Sequence, residues 1–151
     1  MSENNLENKV IEKNNAKIEA HRILKKDNKT KEDYAIAVSN YVKSGKSEPE
    51  ALVIIGMYAA NQDPEIGVEL LKKANTCIAL CYAGDVYFQK LKNTESAAKC
   101  YESAISKANG DRPVVIEKTI KLYEKAKNAD KVNELKKKYN IDADYSRLAE
   151  N

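Results

Sequence analysis

The stretch CYAGDVYFQKLKNTESAAKCYESAI, residues 81–105, decides the fold. It predicts two helices, since helix-forming residues fill both halves and Asn93-Thr94 between them supplies capping side chains. Gly84 lies inside the first helix, where a glycine costs about 1 kcal/mol relative to alanine. Close packing of a second helix offsets that cost where a small residue is needed at the crossing. Gly84 is therefore expected to make room for a neighbouring backbone, and not to cradle a phosphate.

The two helices follow a recognisable spacing. Residues of the first helix fall at the W-x2-L-G-x2-Y positions, which hold Leu80, Ala83, Gly84 and Tyr87. The second helix continues the pattern with Ala97, Tyr101 and Ala104. This spacing resembles the tetratricopeptide (TPR) repeat, in which a helix–turn–helix pair forms one unit.

Fainter copies of the pattern lie on both sides. They comprise Tyr58, Gly67, Leu71 and Ala74 upstream, and Tyr123, Val132 and Tyr139 downstream. The chain therefore resembles the TPR family over about residues 47–140, in three helix pairs. The three tyrosines of the first helices are 29 and 36 residues apart, whereas the family period is about 34. Lys136 also replaces the aromatic in the third pair, and a plain irregular helical bundle is the alternative fold.

Composition agrees with an all-α chain. Of the 151 residues, 42% are hydrophobic and 32% charged, while only five Gly and three Pro interrupt them. Helix formers are thus abundant and turn residues scarce. We expect an all-α fold, a short α-solenoid of antiparallel helix pairs with about seven or eight helices. Residues 1–28 are expected to be a polar, partly ordered or helical lead-in, residues 29–140 a single TPR-like helical-repeat domain, and residues 141–151 a tail.

Capping signals predict the ends of the helices. Starts are expected at Thr30 with Asp33, Ser47 with Glu50, Asp63-Pro64, Asn75-Thr76, Asn93-Thr94, Pro113 and Asn128, and stops at Gly45 and Asn109-Gly110.

The net charge indicates which class of partner to expect, and the apolar runs indicate the cellular location. The net charge is +3, from 26 basic and 23 acidic side chains. A mixed surface of this kind is not the concentrated basic footprint of a nucleic-acid-binding protein, so nucleic acid is not the expected partner. The longest apolar run, residues 51–60, is too short to cross a bilayer, and the first residues lack the apolar core of a secretion signal. We expect no membrane span and a cytoplasmic location.

Residues that could perform chemistry are few. Cys77, Cys81 and Cys100 lack the spacing of a metal site and are expected to be free, buried thiols. The single histidine, His21, lies far away in the lead-in. No nucleophile-elbow, P-loop or dinucleotide-binding motif occurs in the chain. We expect no enzymatic activity, no metal and no cofactor.

The TPR resemblance implies a function in binding. Such proteins are adaptors or scaffolds whose first helices line a concave groove for a peptide or helix of another protein. A subfamily clamps acidic chaperone tails, but the matching places here hold Leu52, Gly56, Ile78, Cys81 and Asp85, so that ligand is not expected. Two alternatives remain: a small chaperone for a secreted or assembling client, and an RNA-associated helical repeat that uses the carboxy-terminal lysines.

The same resemblance implies which residues face the groove. They are Leu52, Val53 and Ala59 in the first pair, Ile78, Cys81, Tyr82, Asp85 and Phe88 in the second, and Glu117, Lys118, Lys121 and Lys125 in the third. A fitting ligand is an amphipathic helix or extended peptide with apolar anchors and acidic residues. Tyr82 and Phe88 are either aromatic anchors of this groove or members of the core.

Overall fold

The chain, studied as a computed structural model, is described over residues 2–107 and 112–141. This part contains eight helices and no strand, which confirms the all-α prediction. The helices are α1 Ser2–Leu24, α2 Lys31–Lys43, α3 Glu48–Gln62, α4 Pro64–Ala74, α5 Cys77–Gln89, α6 Thr94–Lys107, α7 Arg112–Lys125 and α8 Ala129–Lys138. The predicted stop at Asn109-Gly110 and the predicted tail beyond Ile141 lie outside the described residues.

Two capping boxes begin α2 and α3. The Thr30 hydroxyl accepts a hydrogen bond from the Asp33 amide at 3.2 Å, and the Asp33 carboxylate accepts one from the Thr30 amide at 2.9 Å. Ser47 and Glu50 form the same reciprocal pair at 3.2 and 3.3 Å. Each box satisfies two amides that a helix start leaves without intrahelical partners, so both predicted starts are confirmed.

Most other helix ends follow the local signals as well, but at the start of α4 only Pro64 does, because the Asp63 side chain makes no capping hydrogen bond. Asn75 ends α4 in the left-handed conformation, with φ at 54°, and Thr76 then caps α5 through the Ala79 amide at 3.2 Å. Gly45 follows α2 with φ at 111°, which a residue with a side chain rarely adopts. The seventh helix begins at Arg112, one residue before the predicted Pro113.

The chain divides into two compact units, residues 1–75 and residues 76–151, and each is described by itself. In the first unit α1 packs on α2, α2 on α3, and α3 on α4. In the second unit the same succession joins α5, α6, α7 and α8. Consecutive helices therefore pack in adjacent pairs within each unit, as a helical repeat requires.

The lead-in forms a helix pair with α2. The second half of α1 buries four apolar residues, Ala16, Ala20, Ile23 and Leu24. In α2 the pattern Tyr34-x2-Ala37 is buried, as are Leu71-x2-Ala74 in α4 and Tyr101-x2-Ala104 in α6. The pair of α1 and α2 therefore also carries the buried pattern of a second helix, which the sequence had indicated only for later pairs.

Glycines allow the closest contacts between paired helices. A Cβ added to Gly67 of α4 would lie 2.7 Å from the backbone nitrogen and Cα of Ala60 in α3. A Cβ on Gly84 of α5 would lie 2.7 Å from the ring of Tyr101 in α6. Gly84 therefore makes room for an aromatic ring and not for a backbone as predicted, and the close backbone approach lies at Gly67.

The buried residues also correct the predicted alignment of α3 with α5. In α5 the buried residues are Ala79, Leu80, Ala83 and Gly84, and α3 buries the matching Ala51, Leu52, Ile55 and Gly56. This match places Ala59, and not Tyr58, at the position of Tyr87. Ala59 is fully buried, whereas 39% of Tyr58 is exposed.

Candidate functional site

The lysines of α7 form one row because of their spacing. Lys118, Lys121 and Lys125 are three and four residues apart, so they lie on one side of the helix. Another side of α7 buries the apolar residues Val115, Ile116 and Ile120 and the polar Thr119. The buried hydroxyl of Thr119 is satisfied because it donates to the Val115 carbonyl at 2.8 Å. Core packing of α7 therefore leaves the lysine row at the surface.

A cleft within the second unit brings four predicted groove residues together. It has a volume of about 280 Å³ and is lined by Asp85, Gln89, Tyr101, Lys118, Lys121, Leu122 and Lys125. Asp85, Lys118, Lys121 and Lys125 were predicted from the TPR resemblance, and they meet although they come from two helices. Tyr101, Gln89 and Leu122 were not predicted to line a groove, because Tyr101 lies on a second helix of the repeat and no motif marked the other two.

The carboxylate of Asp85, the acidic group of the cleft, contacts two side chains of the same unit. The Asp85 carboxylate accepts a hydrogen bond from the Tyr101 hydroxyl and lies 4.0 Å from Lys118 Nζ. The same Nζ lies 6.0 Å from the centroid of the Tyr101 ring. Burial raises the pKa of Tyr101, and its hydrogen bond to Asp85 raises it further, so the phenol stays protonated and continues to donate.

The remaining charges favour an acidic ligand. Lys121 Nζ lies 2.8 Å from the Glu117 carboxylate, one turn away on α7. Lys125 Nζ lies over the ring of Phe88, 5.0 Å from its centroid. The ring of Phe88 carries no negative charge to balance the ammonium group, so Lys125 adds positive charge to the cleft.

The apolar residues of α5 divide between surface and core. Ile78 is 59% exposed and Tyr82, one turn later, is 37% exposed. Phe88 is half-buried and packs against the core of the second unit. Of the two aromatic residues predicted as anchors or core, Tyr82 therefore lies at the surface and Phe88 packs on the core. We name Ile78, Tyr82, Lys118, Lys121 and Lys125 the α5–α7 face.

The cysteines are free thiols in the structure. Cys100 is buried, and Cys77 and Cys81 are half-buried one turn apart on α5. Burial, followed by the effect of Cys77, raises the pKa of Cys81 to about 12. A thiol with so high a pKa is protonated near neutral pH, and the thiolate is the reactive form. Cys81 is therefore suited to packing and not to nucleophilic chemistry.

The groove residues predicted in the first unit are buried. Leu52 is 3% exposed and Ala59 is fully buried, while Val53 is half-buried. A partner could reach Leu52 and Ala59 only by displacing the residues packed on them. The physical reason is that α3 is apolar on most sides, so the spacing of its residues did not indicate which side the core would take.

A second cleft, in the first unit, was not predicted. It has a volume of about 620 Å³ and is lined by residues 24–29, Tyr58 and Gln62. The hydroxyl of Tyr58 donates to the Leu24 carbonyl at 3.1 Å, and Lys29 Nζ lies 5.8 Å from the ring centroid. Lys29 Nζ also donates to the Lys26 carbonyl at 3.0 Å. These contacts connect the α1–α2 loop to α3, so the cleft is a consequence of how that loop is held.

Comparisons with protein-family models, with curated proteins and with solved structures gave no significant match. The TPR resemblance therefore rests on the residues and the paired helices described above. Among residues 2–107 and 112–141, no helix is long and apolar enough to cross a membrane. Within the same ranges no group of three or more His, Cys, Asp or Glu side chains could hold a metal ion. The expectations of a cytoplasmic location and of no metal, cofactor or enzymatic activity stay predictions.

Proposed function

We propose that this chain is a protein–protein interaction module of the TPR-like kind, without enzymatic activity. Its α5–α7 face binds an amphipathic helix or extended peptide that carries both apolar and acidic residues. The observation that carries the proposal is the cleft in which Asp85, Lys118, Lys121 and Lys125 meet, together with the exposed side chains of Ile78 and Tyr82, which lie earlier on the same helix as Asp85.

The chemistry of this face suits such a ligand. Tyr82 offers a large apolar ring with a polar hydroxyl, the kind of residue that contributes strongly at the centre of interfaces. The lysines of α7 add charges that attract carboxylates and set the register of a bound segment. Hydrogen bonds and ion pairs hold Asp85 and Glu117, so the two acids do not have to be repositioned on binding.

The rigidity of the site supports binding without rearrangement. Lys118, Tyr101 and Asp85 form one connected set of contacts, and Phe88 packs beneath Lys125. A surface that is ordered before binding loses less conformational entropy when a ligand arrives. The affinity then comes from apolar contact and from charge, with no chemical step.

Affinity capture from the source cell with quantitative mass spectrometry tests this function. The wild-type chain is compared with a Lys121→Glu, Lys125→Glu variant and with a control, Lys72→Glu, Lys73→Glu, that makes the same charge change on exposed residues of α4. We expect one or more proteins to be captured by the wild type and the control and lost with the α7 variant. Equal capture by all three chains would contradict the proposal, and loss of the captured material on nuclease treatment would favour the RNA-associated alternative.

A further inference from the structure

The first half of α1, residues 2–15, is a helix with an exposed apolar surface. Every residue from Glu3 to Asn15 is exposed. The apolar residues among them are Leu6, Val10 and Ile11, with 63%, 56% and 55% of their surface exposed. Burial in α1 begins only at Ala16, where the second half of the helix packs into the first unit. Three large apolar side chains on one short exposed segment indicate a binding surface.

Acidic residues share a face with these apolar side chains. Leu6 and Glu7 follow Glu3 by three and four residues. Val10 and Ile11 follow Glu7 at the same two distances. Since residues three and four apart are neighbours on a helix, all five form one continuous face. At 100° per residue, Lys13 lies at the edge of this face, about 20° from Leu6, and Lys9 lies about 60° beyond Leu6, whereas Glu12 is on the opposite side. The first half of α1 therefore presents apolar and acidic groups together, with its two lysines along one edge of the face.

This combination matches the ligand proposed for the α5–α7 face. That face offers Ile78 and Tyr82 on α5 and three lysines on α7, so apolar groups can meet apolar groups and each glutamate can meet a lysine. The wider surroundings are also basic, because residues 76–141 contain 13 Lys and Arg but only eight Asp and Glu. The first half of α1 therefore matches the α5–α7 face in both its charges and its apolar groups.

We propose that the α5–α7 face binds the first half of α1 from a second copy of this chain. The inference rests on the proposed function, because it names the partner of the same face. Glu3 and Glu7 of one copy lie against Lys121 and Lys125 of the next, and Leu6 and Val10 lie against Ile78 and Tyr82. The two surfaces differ, so the contact is heterologous, and a pair of copies keeps one α1 segment and one α5–α7 face unused. Self-association then continues beyond a dimer, into open chains or a closed ring.

Sedimentation velocity of the intact chain over a dilution series tests this contact. The buffer is of low ionic strength, because exposed charges are screened beyond about 10 Å at 0.1 M salt. One variant carries Glu3→Lys and Glu7→Lys, and a second carries Lys121→Glu and Lys125→Glu. Each variant places like charges on both surfaces, so each alone should associate at least about tenfold more weakly than the wild type.

Combining the variants restores opposite charges. Mixed in equal amounts, the two variants should associate again, and so should a single chain that carries all four substitutions. A control with Glu12→Lys changes the opposite side of the same segment and should associate like the wild type.

Three results would overturn the inference. One is a wild-type chain that stays monomeric at every concentration, and another is a mixture of the two variants that does not associate. The third is association that none of the charge reversals changes. If the wild type is monomeric but the α7 variant still loses a captured protein, only this inference falls and the proposed function stands.

Discussion

Three tyrosines bury their rings and donate their hydroxyls to carboxylates. Tyr34 donates to Asp63 at 2.7 Å, Tyr101 donates to Asp85, and Tyr123 donates to Glu102. A buried phenol needs such a partner, since its hydroxyl otherwise loses its hydrogen bonds to water. Burial first, and then the carboxylate, raises the pKa of all three tyrosines.

The raised pKa values predict a loss of stability at alkaline pH. Below about pH 10 these tyrosines are protonated in both states, so their contribution to stability is complete. Above that pH they ionise in the unfolded chain but stay protonated in the folded one, and this favours unfolding increasingly as pH rises. Urea denaturation between pH 8 and pH 11 should show this decline, and Tyr101→Phe should make it less steep by up to about 1.4 kcal/mol per pH unit. Parallel curves for the two proteins would contradict the prediction.

Two glycines should differ in how well they accept a methyl group. In Gly67→Ala the new Cβ meets backbone atoms of Ala60, which cannot move without shifting α3. In Gly84→Ala it meets the ring of Tyr101, whose shift strains the hydrogen bond to Asp85 but displaces no helix backbone, and alanine recovers about 1 kcal/mol of helix propensity at both sites. Overpacking typically costs about 1–3 kcal/mol. We expect Gly67→Ala to lower the free energy of unfolding more than Gly84→Ala, as measured by urea denaturation, and the reverse order would be inconsistent with these contacts.

At the scale of the helices, the ends could be predicted from the sequence because capping is local. Ser47 and Glu50 are three residues apart and form their box within a single turn. The side of a helix that is buried depends on residues far away in the chain. In α3 the run LVII has no polar side, and the structure buries Leu52 and Ile55, half-buries Val53 and leaves Ile54 37% exposed. Packing against other helices decides which side of α3 is buried. The sequence therefore assigned Leu52 to a groove, although it belongs to the core.

The candidate site was predictable to the extent that it lies on one helix. The row of Lys118, Lys121 and Lys125 follows from spacing alone. The contact between Asp85 and Tyr101 could not be predicted, because the two residues are 16 positions apart and their meeting depends on how α5 packs on α6. The exposure of the first half of α1 could not be predicted either, since its apolar stripe continues without a break into the half that is buried.

The two halves of α1 should differ in hydrogen exchange. An isolated helix shorter than about 12–15 residues is only marginally stable in water, and no tertiary contact buries residues 3–15 in the described structure. At concentrations where the chain is monomeric, their amides should exchange quickly, whereas those from Ala16 to Leu24 should be protected. Exchange measured by mass spectrometry checks this, and equal protection along the whole helix would contradict it. At concentrations where copies associate, protection should extend into the first half.

At the scale of the whole molecule, charge is distributed unevenly between the two units. Residues 1–75 contain 12 basic and 12 acidic side chains, whereas residues 76–151 contain 14 and 11. The entire net charge of +3 therefore belongs to the second unit, which also carries the α5–α7 face. Since exposed charges are screened by salt, binding at this face should weaken as ionic strength rises.

The most direct test of the central claim is a binding titration with a designed helical peptide, followed by fluorescence anisotropy. The peptide carries leucines and glutamates on one face, and a second version replaces each glutamate with lysine. We predict that the glutamate peptide binds the wild type, and that Lys121→Glu, Lys125→Glu weakens this binding at least about tenfold and makes the variant prefer the lysine peptide. The Lys72→Glu, Lys73→Glu control should bind like the wild type. The same affinity for both peptides, or an α7 variant that binds like the wild type, would contradict the account.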